Sequence, residues 1–178
     1  MNPPPLHEYP SLVLHTFACD CAQRFLQREE ESDVYCDKRL YRAIQWKRAW
    51  LEGKVDESEA FELQMYLDMT QPRPISPALE RMYVMYSIIR STMELDALNA
   101  AKGASQLTFK FVEAIHGNPN KPLELERVQK EKTWQRKHLQ NLVIELFWRP
   151  LCQAISYVAK NQETLGTYQD NLEDVLFE

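Results

Sequence analysis

Four cysteines are the residues of this chain best suited to chemistry, and two of them are close neighbours in sequence. Cys19 and Cys21 flank Asp20, whereas Cys36 and Cys152 stand apart. A one-residue gap is tighter than the usual spacing of zinc ligands, and on a helix side chains two positions apart point about 200° away from each other. The pattern therefore favours small buried packing residues over a metal site.

Nucleophilic catalysis would need a base beside one of these thiols. The candidate bases are His15, His116 and His138, but no diagnostic motif places any of them next to a cysteine. The sequence has neither a glycine-rich phosphate loop nor a His-Glu-x-x-His zinc motif, and its many carboxylates form no distinctive pair. We therefore expect no catalytic site, no metal and no cofactor.

The predicted helix with the clearest ends covers residues 37–54. Asp37 is a good N-cap because its carboxylate can accept hydrogen bonds from the free N–H groups of the first turn. Gly53 suits the left-handed residue that ends a helix. This stretch therefore predicts an amphipathic core helix. Its apolar residues share one face at helical spacing: Leu40, Ala43, Ile44, Trp50 and Leu51.

The same helix is rich in cations, with Arg42, Lys47 and Arg48 beside Tyr41 and Trp46. These residue types suit phosphate contact and base stacking, so a small nucleic-acid-binding protein that acts through this helix is one hypothesis. Against it, the formal net charge of the chain is −5, and acidic segments flank the helix on both sides. Pairing with acids of the same chain is the simpler use of these cations.

Composition favours an all-α fold, because good helix formers dominate and the chain has only 4 glycines. Ser76 followed by Pro77 marks a helix start, Gly103 a helix break, and Pro150 a kink or a new start. We expect a single compact bundle of six or seven helices, with the helix from Pro77 the most buried. The predicted helices cover residues 11–31, 37–54, 56–70, 77–101, 104–116, 123–147 and 151–161.

We predict a flexible proline-rich lead over residues 1–10, a helical domain over 11–162 and an acidic C-terminal tail over 163–178. The N-terminus lacks the basic start and apolar stretch of a signal peptide. No uninterrupted apolar run approaches the roughly 20 residues that span a bilayer. A cytoplasmic protein with free thiols is therefore expected.

Two segments of the chain together resemble a known family. One reads Ala18-Cys19-Asp20-Cys21-Ala22; the other begins with Asp37-Lys38-Arg39 and ends in Ala49-Trp50-Leu51-Glu52-Gly53-Lys54. They are similar to the immunity protein family numbered five of bacterial polymorphic toxin systems. The resemblance implies a non-catalytic protein that binds and neutralises a cognate toxin domain.

We expect a structural role for this motif. Asp20 on the first helix would bond Arg39 or the start of the second helix, because a buried charge pair fixes the geometry of the elements that it joins. Cys19 or Cys21 would fill the close contact between the two helices. The motif residues are Cys19, Asp20, Cys21, Asp37, Arg39 and Trp50.

The partner-binding surface is predicted to be acidic, since complementary charge speeds association and sets specificity. The alternative for the same residues is a solvated helix face. A helical adaptor or assembly subunit is the other protein-binding hypothesis, and the oligomeric state is open. The candidate residues are Asp56, Glu57, Glu59 and Glu62, with Asp170, Glu173 and Asp174 from the tail.

Overall fold

The computed structural model describes residues 5–116 and 122–160, and within those ranges the regular structure is entirely helical. Side chains are described for residues 5–112 and 125–160. The predicted all-α class is confirmed. The six α-helices assigned in these ranges are α1 (Ser11–Glu31), α2 (Lys38–Leu51), α3 (Ser58–Thr70), α4 (Pro77–Thr92), α5 (Ala97–His116) and α6 (Pro122–Val143).

The most buried helix is α1, which packs along α5 and also contacts α2 and α4. Four small residues in its middle, Ala18, Cys19, Cys21 and Ala22, have no exposed surface. Small side chains let neighbouring helices approach closely, so helices can cover α1 from several sides. The expectation that the helix from Pro77 would be the most buried is therefore wrong: α4 buries fewer residues than α1 does.

The junction between α4 and α5 differs from the prediction. The sequence predicted one helix over residues 77–101 and a break at Gly103, but the chain breaks earlier, where Asp96 Oδ1 accepts a hydrogen bond of 2.7 Å from Asn99 N. Gly103 lies inside α5, and a Cβ atom there would be 2.6 Å from Cβ of Ser91. Gly103 therefore allows α4 and α5 to approach closely and does not end a helix.

Three predicted helix ends are confirmed. Asp37 Oδ1 accepts a hydrogen bond of 2.9 Å from Arg39 N at the start of α2, and Gly53 follows that helix with a φ of 68°. At the start of α4, Ser76 Oγ accepts a bond of 3.3 Å from Leu79 N. These caps satisfy N–H groups that have no partner within the helix.

Contacts divide the chain into two compact units, Met1–Gln140 and Asn141–Glu178. In the first unit, the described part of the predicted flexible lead forms a 3-10 turn, Leu6–Glu8, that contacts α5. The division of the chain into lead, domain and tail stays a prediction, and the whole predicted tail, residues 163–178, lies outside the described residues.

In the second unit the helix continues beyond α6. A π-helical turn, Ile144–Trp148, leads into α-helical residues 149–160. Pro150 lies two residues after this turn; proline has no N–H to donate and its ring crowds the preceding turn of a regular α-helix, which accounts for a widened turn at this place. The chain therefore passes Pro150 without ending the helix.

One described helix, Leu125–Lys160, is long and apolar enough by length and composition to cross a membrane. Only 6% of its apolar window is buried inside the fold. The sequence shows no uninterrupted apolar run of that length in this helix, because isolated charged residues divide the stretch. The cytoplasmic location stays a prediction.

Candidate functional site

The predicted motif residue Asp20 joins three helices. Its Oδ1 accepts a hydrogen bond of 2.5 Å from Nη2 of Arg48 on α2, and its Oδ2 lies 2.6 Å from Nε2 of His138 on α6. Burial opposes the charged carboxylate, but the bonds from His138 and Arg48 outweigh it and lower the pKa of Asp20. We call Asp20, Arg48 and His138 the clasp.

The expected partner of Asp20, Arg39, is engaged elsewhere. Arg39 Nη2 donates to Asp37 Oδ2 over 2.8 Å, and Tyr86 Oη donates to the same oxygen over 3.0 Å. The bonds from Arg39 are the main reason why the pKa of Asp37 is lowered. The predicted Asp20–Arg39 bond is therefore wrong, although Asp20 does bind α2, nearer the end of that helix.

A second buried carboxylate, Glu131 on α6, lies beside the clasp and was not singled out from the sequence. Its side chain has no exposed surface, and it forms ion pairs with Arg24 and Arg28 of α1. Gln135 Nε2 donates to Glu131 Oε1 over 3.2 Å. Two cations and an amide thus compensate a charge that would otherwise be very unfavourable at this depth.

The cysteines of the motif serve packing. Cys19, Cys21 and Cys36 are buried, and all four cysteines, including the exposed Cys152, are free thiols. Burial raises the pKa of Cys19 and of Cys36 to about 11, and it raises the pKa of Cys21 further above the usual value. The three buried thiols are therefore protonated near neutral pH, a state that disfavours nucleophilic attack.

Most cations of α2 are already engaged inside the fold. Lys47 has no exposed surface; its Nζ donates to Glu94 O over 2.8 Å and lies 4.2 Å from the ring centre of Trp50. Burial lowers the pKa of Lys47 to about 8. Arg48 belongs to the clasp, which leaves Arg42 as an exposed cation of this helix. These contacts weaken the nucleic-acid hypothesis, which requires free cations.

The predicted acidic residues of α3 lie on the surface. Asp56 Oδ1 accepts hydrogen bonds from the Ser58 hydroxyl and, over 2.8 Å, from Ser58 N at the start of the helix, and these two bonds lower the pKa of Asp56. Glu57, Glu59 and Glu62 are exposed and form no ion pair among the described residues. Asp170, Glu173 and Asp174 lie outside the described residues.

The same helix exposes an apolar stripe that the sequence analysis missed. Phe61, Met65 and Met69 are four positions apart, and 71%, 49% and 78% of their respective surfaces are exposed. Residues at this spacing share one face of a helix, so the three form a continuous strip. The signal was present in the sequence as an i, i+4, i+8 pattern on an acidic helix, but it resembled an ordinary buried face.

A groove between α2 and α3 lies beside the stripe. It has a volume of about 510 Å³ and its walls include Arg42, Trp46, Glu59, Glu62 and Tyr66. The indole Nε1 of Trp46 and the hydroxyl of Tyr66 are buried and have no hydrogen-bond partner. Buried polar atoms without a partner are uncommon in folded proteins and costly.

We call the stripe, the groove and Glu57 together the α3 surface. It combines exposed apolar area with negative charge, which are features of a recognition surface. Within the described ranges, no group of three or more His, Cys, Asp or Glu side chains could hold a metal ion. No family model, curated protein or solved structure matches this chain.

Proposed function

We propose that this chain is a non-catalytic protein-binding protein and that its partner docks on the α3 surface. The observation that carries the proposal is the exposed strip of Phe61, Met65 and Met69 beside acids that form no ion pair among the described residues. Contiguous exposed apolar side chains with a polar rim are typical of protein interaction sites. Methionine adds a flexible side chain that adapts to the shape of a partner.

The partner is expected to present apolar side chains surrounded by lysine or arginine. Glu57, Glu59 and Glu62 would attract such a surface, because complementary charge speeds association and sets orientation. The interface would therefore have an apolar centre and an acidic rim.

The resemblance to immunity proteins adds the identity of the partner to this proposal. On that basis the partner is a toxin domain that the chain neutralises by covering its active surface. A toxin that acts on nucleic acid has a basic groove for phosphates, which would suit an acidic inhibitor. This chain would then inhibit by occupying the groove and would need no chemistry of its own.

The test is co-purification of the chain with the product of its adjacent gene, followed by growth of cells that express that product with and without the chain. We expect a stable complex and protection from toxicity. Phe61→Ser and Glu62→Lys should each weaken the complex, because they remove apolar contact area and reverse a rim charge.

Two substitutions of the same kinds elsewhere serve as controls. Tyr35→Ser removes an aromatic side chain that is 72% exposed, and Glu31→Lys reverses an exposed acid at the end of α1. Both should leave the complex intact. If the controls weaken binding as much as the α3 variants do, the α3 surface is not the interface.

The adaptor hypothesis is favoured by a separate observation in the second unit. Along residues 143–160 an amphipathic helix leaves six large apolar side chains about half exposed on one face, with Arg149 and Gln153 on the opposite side. An adaptor needs a second interface, and this helix would supply it. The six residues are Ile144, Phe147, Trp148, Leu151, Ile155 and Val158.

The two hypotheses differ in which surface matters. An adaptor would keep a partner after Phe61→Ser and lose one after Ile155→Ser, and the adjacent gene product would not be toxic. An immunity protein would show the reverse dependence and would restore growth. The same purification and growth test therefore separates them.

A further inference from the structure

A second concave site lies on the opposite elements of the first unit, away from α2 and α3. The 3-10 turn, α1, α5 and α6 enclose an open groove of about 450 Å³. That volume falls within the range of pockets that hold small organic ligands. The floor and walls are apolar or aromatic and comprise Leu6, Tyr9, Phe17, Phe109 and Leu139.

The rim of this groove is basic and carries no acid. Lys132 and Arg136 line it from α6, four residues apart and therefore on one face of that helix. Lys132 Nζ lies 4.6 Å from the ring centre of Phe109, directly above the apolar wall. Neither Lys132 nor Arg136 forms an ion pair among the described residues.

Two further polar side chains of the groove, Gln135 and Ser105, are already hydrogen-bonded within the chain. Gln135 Nε2 donates to the backbone oxygen of Ser105 over 3.2 Å, and the Ser105 hydroxyl donates to Ala101 O over 2.7 Å. A ligand in the groove would therefore contact apolar side chains on the floor and walls, and two cations on the rim that form no ion pair within the described part of the chain. This arrangement selects molecules that have an apolar body and one anionic end.

We propose that this groove binds a free medium-chain carboxylate of the fatty-acid class. The alkyl chain lies against Phe17, Phe109 and Leu139, and the carboxylate accepts hydrogen bonds from Lys132 and Arg136. Burial of the chain supplies affinity, while the paired cations select the anion over a neutral or cationic amphiphile. The site is separate from the α3 surface and does not depend on the proposed protein partner.

The test is calorimetric titration of the full chain with decanoate, below the concentration at which decanoate forms micelles. Decanol and decyltrimethylammonium serve as neutral and cationic analogues. We expect decanoate to bind at one site per chain and at least about tenfold more tightly than either analogue, as a charge-assisted hydrogen bond implies.

Variants place the ligand in the groove. Lys132→Gln with Arg136→Gln should weaken decanoate about tenfold or more and leave decanol unchanged. Gln106→Trp, at an exposed rim position, should block both by filling the groove. The matched control is Lys110→Gln with Lys137→Gln, two exposed lysines outside the groove, and it should bind decanoate like the unaltered chain.

Three results would overturn the proposal. They are an absence of decanoate binding, equal binding of decanol and decanoate, and binding that survives both groove variants. The last result would assign the ligand to another apolar surface, such as the stripe of Phe61, Met65 and Met69. Thermal unfolding of each variant distinguishes a lost site from a lost fold.

Discussion

Two regions of this molecule are rich in charged side chains, but within the described ranges the carboxylates are paired with cations in one region and unpaired in the other. In the seam between α1, α2 and α6, Asp20 meets Arg48 and His138, and the fully buried Glu131 meets two arginines. On the α3 surface the glutamates are exposed and form no ion pair among the described residues. The carboxylates of the seam are therefore paired with cations, whereas those of the α3 surface are exposed and unpaired in the part of the chain that the structure describes.

This difference separates structural charge, which fixes the arrangement of the helices, from recognition charge, which is available to bind a partner. A buried carboxylate that already has its cations fixes the arrangement of helices and has little left to offer a partner. An exposed carboxylate without a cation contributes little to stability and remains available for association. The predictions that follow test whether the two regions differ in this way.

The largest effect is expected at Glu131. Glu131→Gln keeps the shape of the side chain but removes the charge that compensates Arg24 and Arg28. We expect the free energy of unfolding to fall by about 3 kcal/mol, because breaking a buried ion pair leaves uncompensated charge. Urea denaturation followed by circular dichroism measures this change.

The matched control is Glu62→Gln on the α3 surface, which makes the same chemical change at an exposed site. Its effect should stay within about 0.5 kcal/mol. If the two substitutions cost the same, burial and pairing do not distinguish the regions, and the separation of structural from recognition charge fails.

The next effect is expected at the clasp. Asp20→Asn should lower the free energy of unfolding by about 1–2 kcal/mol at pH 7, since it weakens two charge-assisted bonds. Because the pKa of Asp20 is lower in the folded state, its contribution is present above the ordinary aspartate pKa and is lost as pH falls through the folded value.

The difference between Asp20→Asn and the unaltered chain should therefore shrink as unfolding is measured at progressively more acidic pH. Asp68→Asn is the control, because Asp68 forms only a surface pair with Arg90 at 3.2 Å. A thermal midpoint unaffected by Asp20→Asn would rule out a stabilising role for the clasp.

Local signals in the sequence predicted the helices and their ends better than the contacts between helices. The bounds of α1 and the caps at Asp37, Ser76 and Gly53 depend on a few adjacent residues, and these predictions hold. Gly103 was misread because its role depends on Ser91, a residue of another helix. Glycine has the same local signature whether it ends a helix or permits close packing.

Contacts between helices were harder to predict for the same reason. The sequence pointed to Asp20 and to the second helix, but the choice between Arg39 and Arg48 depends on how the two helices cross. Lys47 was grouped by its type with Arg42 and Arg48 as a cation suited to phosphate contact, yet it is buried beside Trp50. The stripe on α3 was overlooked because an exposed and a buried apolar face share one periodicity.

A smaller effect, with a defined pH dependence, is expected at Lys47. Burial lowers its pKa to about 8, so between about pH 8 and the ordinary lysine value the unfolded chain holds a proton that the folded chain has released. More protons on the unfolded chain mean that the free energy of unfolding rises with pH in this window. This contribution should disappear in Lys47→Met.

At pH 7 the same substitution should stabilise the chain by about 1 kcal/mol, because it removes a buried cation whose nearest carboxylates, Glu94 and Glu57, act on it without forming an ion pair. Other groups titrate in the same range, so the difference between the two chains at each pH is the quantity to measure. Lys54→Met, at an exposed position, should show no such difference. If Lys47→Met shows a flat difference across pH 8 to 10, Lys47 is not held in a desolvated site.

The smallest effect on stability is expected on the α3 stripe. Phe61→Ser removes an aromatic ring that is 71% exposed, so little buried apolar area is lost and the free energy of unfolding should change by less than about 0.5 kcal/mol. Leu67→Ser, on the buried side of the same helix at 2% exposure, should cost several kcal/mol. Urea denaturation of both variants gives the ratio directly. Comparable losses would mean that the stripe is covered within the chain, and a strip already covered cannot receive a partner.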